Sequence, residues 1–157
     1  MSRGGIGYDL HRLASGRKLI LGGVEVPFEK GAVGHSDADT LAHAICDALL
    51  GAAGLGDIGT HFPDTDAKWK GASSLRFLEH VRKLLDERSV TITHIDAVVI
   101  VERPKLGPHF LAMRQALAGA LGIETARINL KAKTNEGVGA VGRGEAIAAQ
   151  AIATLSD

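Results

Sequence analysis

The residues of zinc-binding types in the first third of the chain include Asp9, His11 and His43. Asp9 and His11 lie two positions apart in an apolar segment, residues 6–11, that is typical of a β-strand, so their side chains project to the same side. Taken alone, this pair would equally fit two exposed residues at a strand edge. Together with the imidazole of His43 it offers three ligands and leaves one coordination position open, as in catalytic zinc sites. The residues therefore predict an open zinc site.

His43 falls in a predicted helix whose start is marked by Ser36 and Asp39, which have the spacing of a capping box. The apolar residues of this helix recur on one side: Leu41, Ile45, Ala48 and Leu49. Asp39, His43 and Asp47 fall on the opposite side, where they could equally form an ordinary solvated face. Because free amide groups at a helix N-terminus attract anions, His35 and Ser36 are predicted to lie beside an anion. The hypothesis is a metal next to a phosphate site.

Two further segments carry polar groups suited to a phosphorylated ligand. Four of the eight residues from 137 to 144 are glycine, so the backbone can approach a ligand or another subunit closely. Just before them, Thr134, Glu136 and two lysines could bind phosphate directly and through a hard cation. The segment does not match the P-loop pattern. Residues 57–66 combine carboxylates and hydroxyls that suit a polyol, although a plain solvated loop would look the same.

The remaining pattern predicts alternating strands and helices. Besides residues 6–11, the predicted strands are residues 18–21 and 24–27, which form a hairpin around Gly22 and Gly23, and residues 95–101 and 127–133. Three more helices are predicted: one capped by Ser73 or Ser74, one from Pro108 to Gly122, and one from Glu145 to Leu155.

The composition predicts one globular domain over residues 1–157. The 18 basic and 18 acidic residues balance, so no overall charge favours nucleic acid or an anionic membrane as a partner. The single cysteine, Cys46, excludes an internal disulfide, and its place in the apolar helix predicts a buried, unreactive thiol. The N-terminus lacks the apolar core of a signal peptide, and no apolar run has membrane-spanning length. These features predict a cytoplasmic protein with no membrane partner.

Six motifs occur in the order found in one enzyme family: GYDLH (7–11), GHSDAD (34–39), ALLGA (48–52), LGDIG (55–59), FPDTD (62–66) and GRGE (142–145). Through these motifs the chain closely resembles the 2-C-methyl-D-erythritol 2,4-cyclodiphosphate synthase family of non-mevalonate isoprenoid biosynthesis. The resemblance extends from about residue 4 to the end of the chain. The resemblance implies an α+β subunit with a four-stranded mixed sheet and helices on its outer side. It also implies a homotrimer with active sites between neighbouring subunits.

The activity implied by the resemblance is that of a phosphorus–oxygen lyase. It converts 4-diphosphocytidyl-2-C-methyl-D-erythritol 2-phosphate into 2-C-methyl-D-erythritol 2,4-cyclodiphosphate and CMP. The 2-phosphate of such a substrate is itself the nucleophile. Catalysis therefore needs positioning and charge neutralisation rather than an activated side chain.

The resemblance also implies roles for individual residues. Asp9, His11 and His43 would bind Zn²⁺, and Glu136 would hold a second cation, Mg²⁺ or Mn²⁺. His35 and Thr134 would stabilise the transition state. Substrate contacts are implied for Asp9, Leu10, His11, His35 and Ser36; for Asp57, Ile58, Gly59, Phe62, Pro63, Asp64, Thr65 and Asp66 around the methylerythritol part; for Val101, Pro104, Lys105, Leu106, Gly107, Lys133, Thr134, Asn135 and Glu136 in a cytidine-phosphate pocket of an adjacent subunit; and for Ala132, Ala140 and Arg143.

The chain departs from the family pattern at two places. Lys133 and Asn135 stand where familiar members have threonine, and Ala140 stands where they have an aromatic residue lining a channel on the trimer axis. Two other functions remain open on the residues alone. A zinc-dependent phosphohydrolase would use the open coordination position to activate water. A trimeric binding protein would use zinc only for structure, which an open set of three ligands argues against.

Overall fold

A computed structural model describes residues 1–157 as an α+β fold built on a mixed sheet. The strands are β1 (Ser2–Ser15), β2 (Leu19–Leu21), β3 (Val24–Val26), β4 (Lys30–Ala32), β5 (Thr91–Ile100), β6 (Ile128–Lys133) and β7 (Ala146–Ser156). The helices are α1 (Thr40–Ala52), α2 (Ile58–His61), α3 (Leu75–Asp86), α4 (Phe110–Leu121) and α5 (Gly139–Gly142), with 3₁₀ turns at Ala67–Trp69, Gly107–His109 and Thr125–Arg127.

The main sheet has five strands in the order β4-β1-β7-β5-β6, one more than the four predicted. Strands β5 and β6 are parallel and the other neighbours are antiparallel, while β2 and β3 form a separate hairpin. The additional strand is β4, which has only three residues and pairs with the end of β1 at Leu13–Ser15. Such a short edge segment carries no apolar alternation in its sequence, so pairing alone reveals it.

The predicted last helix, Glu145 to Leu155, is wrong, because this segment forms strand β7 between β1 and β5. Alanine favours helices, and the segment is alanine-rich. As a strand, however, it forms ladders on both edges, pairing with β1 from Ser156 to Ala146 and with β5 from Ser156 to Ala148. The side chains on one face of β7 are buried: Ala149, Ala151, Ala153 and Leu155. Pairing with two neighbours thus outweighs the local helix propensity.

Helix α1 lies directly on β1 and β7, at a distance that only small residues permit. A Cβ atom added at Gly5 or Gly7 of β1 would overlap the carbonyl oxygen of Ala48 or Ala44 in α1. Except for the half-buried His43 and Asp47, every residue of α1 up to Leu50 is buried, so the alternative of an ordinary solvated face does not apply. Cys46 is buried in this helix as predicted.

The N-terminus of α1 is capped by Asp39, not by Ser36. The Asp39 carboxylate accepts hydrogen bonds from the amides of Ala42 (2.9 Å), Gly22 (2.9 Å) and Gly23 (2.7 Å), and so joins the helix to the β2–β3 hairpin. Burial and, to a smaller extent, the charge of Asp37 raise the pKa of Asp39 to about 6, although the hydrogen bonds from the three amides lower it. The chain's own carboxylate thus caps this helix end, while His35 and Ser36, beside which an anion is predicted, line a separate cavity, where the anion stays a prediction.

The two helices α3 and α4 occur where the sequence predicts them. Ser74 occupies the N-cap position of α3, but its side chain makes no capping hydrogen bond, in contrast to the prediction. Pro108 lies in the 3₁₀ turn before α4, and Gly122 ends α4 with a left-handed φ of 64°. No helix of the chain combines the length and the apolar character needed to cross a membrane.

The face of the sheet opposite α1 carries large apolar side chains without cover. Along β1, residues alternate between the side facing α1 and this open face. The exposed fractions on the open face are 81% for Ile6, 55% for Tyr8, 47% for Leu10 and 53% for Ile152. Exposed apolar patches of this kind are typical of interaction surfaces.

The contact between α1 and β1 predicts that Gly7→Ala destabilises the fold strongly. The added methyl group would overlap the α1 backbone, which cannot rotate away as a side chain can, so we expect a loss of about 3 kcal/mol or more in the free energy of unfolding. Gly4→Ala is the matched control, because a Cβ atom there lies 3.9 Å from the nearest oxygen, that of Ala153. Urea denaturation at equal protein concentration measures both; equal stability of the two variants would contradict the prediction.

Candidate active site

Asp9, His11 and His43 bring three potential ligand atoms together between β1 and α1. Asp9 Oδ2 lies 2.8 Å from His11 Nε2 and 3.2 Å from His43 Nδ1, and the two nitrogens are 3.4 Å apart. A tetrahedral zinc ion with bonds of about 2.0–2.1 Å separates its ligand atoms by about 3.3 Å. The spacing within the cluster is therefore suited to a single divalent ion.

The Asp9 carboxylate shows that this cluster fits a metal ion. Its Oδ2 atom is buried and has no well-aligned hydrogen bond, although two imidazole nitrogens lie close to it. An unsatisfied buried oxygen is costly unless another group pairs with it. Burial raises the pKa of Asp9, but the two imidazoles lower it more, to about 2. The carboxylate is thus ionised and available as a ligand.

Outer contacts fix the orientation of both imidazoles. His11 Nδ1 donates to the carbonyl of Val33 at 2.8 Å, which leaves Nε2 facing Asp9. His43 Nε2 lies 2.8 Å from the hydroxyl of Ser74, and that hydroxyl donates a short hydrogen bond to Asp37. In metal sites, hydrogen-bond partners of this kind commonly fix the ring orientation of histidine ligands. Sequence reasoning missed these partners, because Ser74 is 31 positions from His43 and no local pattern connects them.

A cavity of about 330 Å³ opens beside the cluster. It is lined by residues predicted to contact substrate and by several that were not predicted: Asp9, His11, Val33, Gly34, His35, Ser36, His43, Ile58, Gly59, Phe62, Asp64, Trp69 and Phe77. The ring of His35 is held against the carbonyl of Asp66 at 3.2 Å. Phe62 stacks on Phe77 with ring centroids 4.4 Å apart and closes the apolar side. The structure thus brings the predicted metal ligands and much of the predicted polyol loop into one site.

Helix α1 also holds the start of the loop that forms the far side of this cavity. Asp47 Oδ1 accepts a hydrogen bond from the amide of Ile58 at 2.7 Å, and burial raises the pKa of Asp47. Asp57 caps the short helix α2 through the amide and hydroxyl of Thr60, which lower the pKa of its carboxyl group. Pro63 and Thr65 are exposed on the same loop.

Several predicted site residues lie elsewhere within the single chain. Leu10 projects from the open face of β1, opposite Asp9 and His11. The segments 101–107 and 132–136 follow or end the parallel strands β5 and β6, and no residue of either lines the cavity. Ala140 is exposed on α5, and Arg143 pairs with Glu145 at 3.0 Å. A wider groove of about 640 Å³ on the open face of the sheet includes Asp57 but none of the three metal-site residues.

An α+β chain with an open cluster of two histidines and one carboxylate in a polar cavity has the features of a metal-dependent enzyme. Comparison with known proteins identifies the family. Residues 2–156 match the model of the YgbB family, and the chain belongs to this family.

Named relatives and solved structures of the family cover almost the whole chain. A protein from Desulfosudis oleivorans named 2-C-methyl-D-erythritol 2,4-cyclodiphosphate synthase is 60% identical over 151 residues, which are 96% of this chain and 90% of that protein. A synthase of the same name, solved in a CDP-bound form, superimposes with a TM-score of 0.90 at 42% identity and covers 98% of this chain and 100% of its own. The synthase from Plasmodium vivax gives a TM-score of 0.84 at 34% identity, covering 99% and 98% of the two chains.

The metal cluster predicts that His43→Ala lowers zinc affinity without unfolding the chain. Loss of an outer partner of a ligand already costs about 10–100-fold in affinity, so loss of the ligand itself should cost more than about 100-fold. Zinc content by mass spectrometry and folding by circular dichroism are measured on one preparation. The exposed His94 provides the control, His94→Ala, which should keep full zinc content.

Two results would contradict this prediction. A folded His43→Ala variant with unchanged zinc affinity would show that the cluster is not the metal site. An unfolded His43→Ala variant beside a folded His94→Ala variant would indicate that zinc holds the fold together, because a structural zinc ion contributes directly to folding free energy.

Proposed function

We propose that this chain is a 2-C-methyl-D-erythritol 2,4-cyclodiphosphate synthase. It would convert 4-diphosphocytidyl-2-C-methyl-D-erythritol 2-phosphate into the 2,4-cyclodiphosphate and CMP. One observation carries the proposal: the open cluster of Asp9, His11 and His43 shares its cavity with His35 and the loop around Gly59. The 60% identity with a protein of that name supports it.

Two cation sites belong to this proposal. Asp9, His11 and His43 would hold Zn²⁺, while Glu136, with phosphate oxygens of the substrate, would hold Mg²⁺ or Mn²⁺. When bound, these cations supply Lewis-acid stabilisation of the charge on the diphosphate. Glu136 is exposed, so its carboxylate is accessible to a phosphate-bound cation.

The cavity and the adjoining loop that begins at Asp57 would together fold the substrate into attack geometry. The carboxylate of Asp57, held by Thr60, would accept a hydrogen bond from a hydroxyl of the methylerythritol part. An oxygen of the 2-phosphate then attacks the β-phosphorus, and the bond from that phosphorus to the oxygen bridging the α-phosphorus breaks. CMP leaves with that oxygen. His35 and Thr134 would donate to the oxygens on which negative charge increases in the transition state.

The single chain supplies only part of the proposed site, which supports a homotrimer. The segments 101–107 and 132–136, proposed for the cytidine-phosphate pocket, do not line the cavity of their own chain. A neighbouring copy would supply them. The apolar side chains on the open face, Ile6, Tyr8 and Ile152, offer the surface that such copies would cover.

Incubation with the cytidylylated substrate tests the proposed reaction. Phosphorus NMR should show the cyclic diphosphate and CMP in equal amounts, because the nucleophile and the leaving group belong to one molecule. A linear product that has taken up water would indicate a phosphohydrolase instead. Binding of the substrate with no turnover, in protein loaded with zinc and magnesium, would indicate a binding protein.

The assembly is tested by Ile6→Glu, which places a charge on the open face. We expect wild-type protein to have a light-scattering mass of about three times 16.4 kDa, and the variant to dissociate and lose turnover. The variant should retain zinc, because Ile6 projects away from Asp9 and His11. Leu111→Glu on α4 is the control, since Leu111 is also exposed, at 56%. Monomeric wild-type protein with full activity would contradict the prediction.

A further inference from the structure

The residue proposed to hold the second cation, Glu136, lies in a strained turn. Both Glu136 and Gly137 have positive φ angles, 52° and 72°, and the amide of Val138 donates to the carbonyl of Asn135 at 2.9 Å. These are the features of a type I′ turn, whose two central positions favour asparagine, aspartate and glycine. Glutamate gains nothing locally from this left-handed conformation. The turn is stabilised by the Asn135 side chain, which donates to the carbonyl of Val138 at 2.8 Å, and by a group from outside the turn.

The carboxylate of Glu102 supplies that stabilisation. Its Oε2 atom accepts a hydrogen bond from the amide of Asn135 at 2.6 Å, and its Oε1 atom accepts one from the amide of Gly137 at 2.8 Å. The two amides flank Glu136, so the side chain of Glu102 binds the backbone on both sides of Glu136. We call this pair of hydrogen bonds the Glu102 clamp. Hydrogen bonds from amides to an ionised carboxylate are among the stronger ones in proteins.

Glu102 is itself held in place by the sheet. It follows Val101, whose amide donates to the carbonyl of Lys133 at 2.9 Å and so extends the pairing of β5 and β6 by one bond. Glu102 is half-buried at this point. In contrast, the side chain of Glu136 has only a long contact of 3.5 Å, from the hydroxyl of Thr134. The position of Glu136 thus depends on the clamp on its backbone.

We propose that Glu102 is a positioning residue that holds the Thr134–Glu136 segment in the geometry needed for cyclisation. Both oxygens of Glu102 face backbone amides, so it acts through the turn and not on the substrate. This inference rests on the proposed function of Glu136. It assigns to Glu102 a role that the sequence motifs do not indicate, since its two partners lie 33 and 35 positions away.

Amide hydrogen exchange tests the clamp directly and needs no substrate. In Glu102→Ala, loss of both acceptors should raise the exchange rates of Asn135 and Gly137 by about 10-fold or more, measured by NMR on deuterated protein. Glu102→Gln keeps one acceptor oxygen and should protect one of the two amides. Glu29→Ala removes a neighbouring glutamate that pairs with Arg103 at 2.7 Å, and should leave both rates unchanged. Unchanged rates in Glu102→Ala would overturn the proposal.

Kinetics separate positioning from a merely structural role. Glu102→Ala should lower kcat by about 10-fold or more with wild-type zinc content and mass, whereas Glu29→Ala should not. If Glu102 acts through the Thr134–Glu136 segment, the double variant Glu102→Ala/Glu136→Gln should lose less activity than the two single losses combined. Fully additive losses would overturn the proposal. If wild-type protein fails to cyclise the substrate, the proposed function fails, while the exchange experiment still decides whether Glu102 holds the turn.

Discussion

The close packing of α1 against β1 is the contact on which the site depends. Because Gly5 and Gly7 have no side chains, the helix backbone lies directly on the strand. That distance brings His43, on the helix, within 3.2 Å of Asp9, on the strand. A larger residue at either glycine would push the helix outward and separate the residues of the candidate metal site. The contact of Gly5 and Gly7 with α1 therefore determines both the packing of the core and the distance between Asp9 and His43.

Buried carboxylates then connect this pair of elements to the surrounding loops. Asp39 joins the start of α1 to the β2–β3 hairpin, and Asp47, two turns later, holds the loop that begins at Ile58. Asp37 reaches His43 through the hydroxyl of Ser74. Each of these three carboxylates accepts hydrogen bonds from its own chain, so all three stabilise the fold around the site. Asp9 alone presents a buried oxygen without a hydrogen bond.

The ends of the parallel strands β5 and β6 carry the residues proposed for the second cation and the cytidine-phosphate pocket. Parallel strands end at the same edge, which is why Glu102 and the turn at Glu136 meet although they are far apart in sequence. Their distance from the cavity within one chain, together with the uncovered apolar face around Ile6, explains how a trimer would complete the site. The glycine-rich segment after Glu136 leaves room for that approach.

The amino-acid sequence by itself determined the residues of the candidate metal site, the hairpin, the order of most elements and the family, because these depend on local spacing and on long motifs. Only the tertiary structure decided the rest. The alanine-rich segment after Glu145 is a strand because two neighbours pair with it, and Asp39 rather than Ser36 caps α1 because the hairpin supplies it with further donors. The sequence also did not reveal that Ser74 contacts His43 or that Glu102 binds the turn at Glu136. Long-range pairing and burial set their positions, and neither leaves a pattern in neighbouring residues.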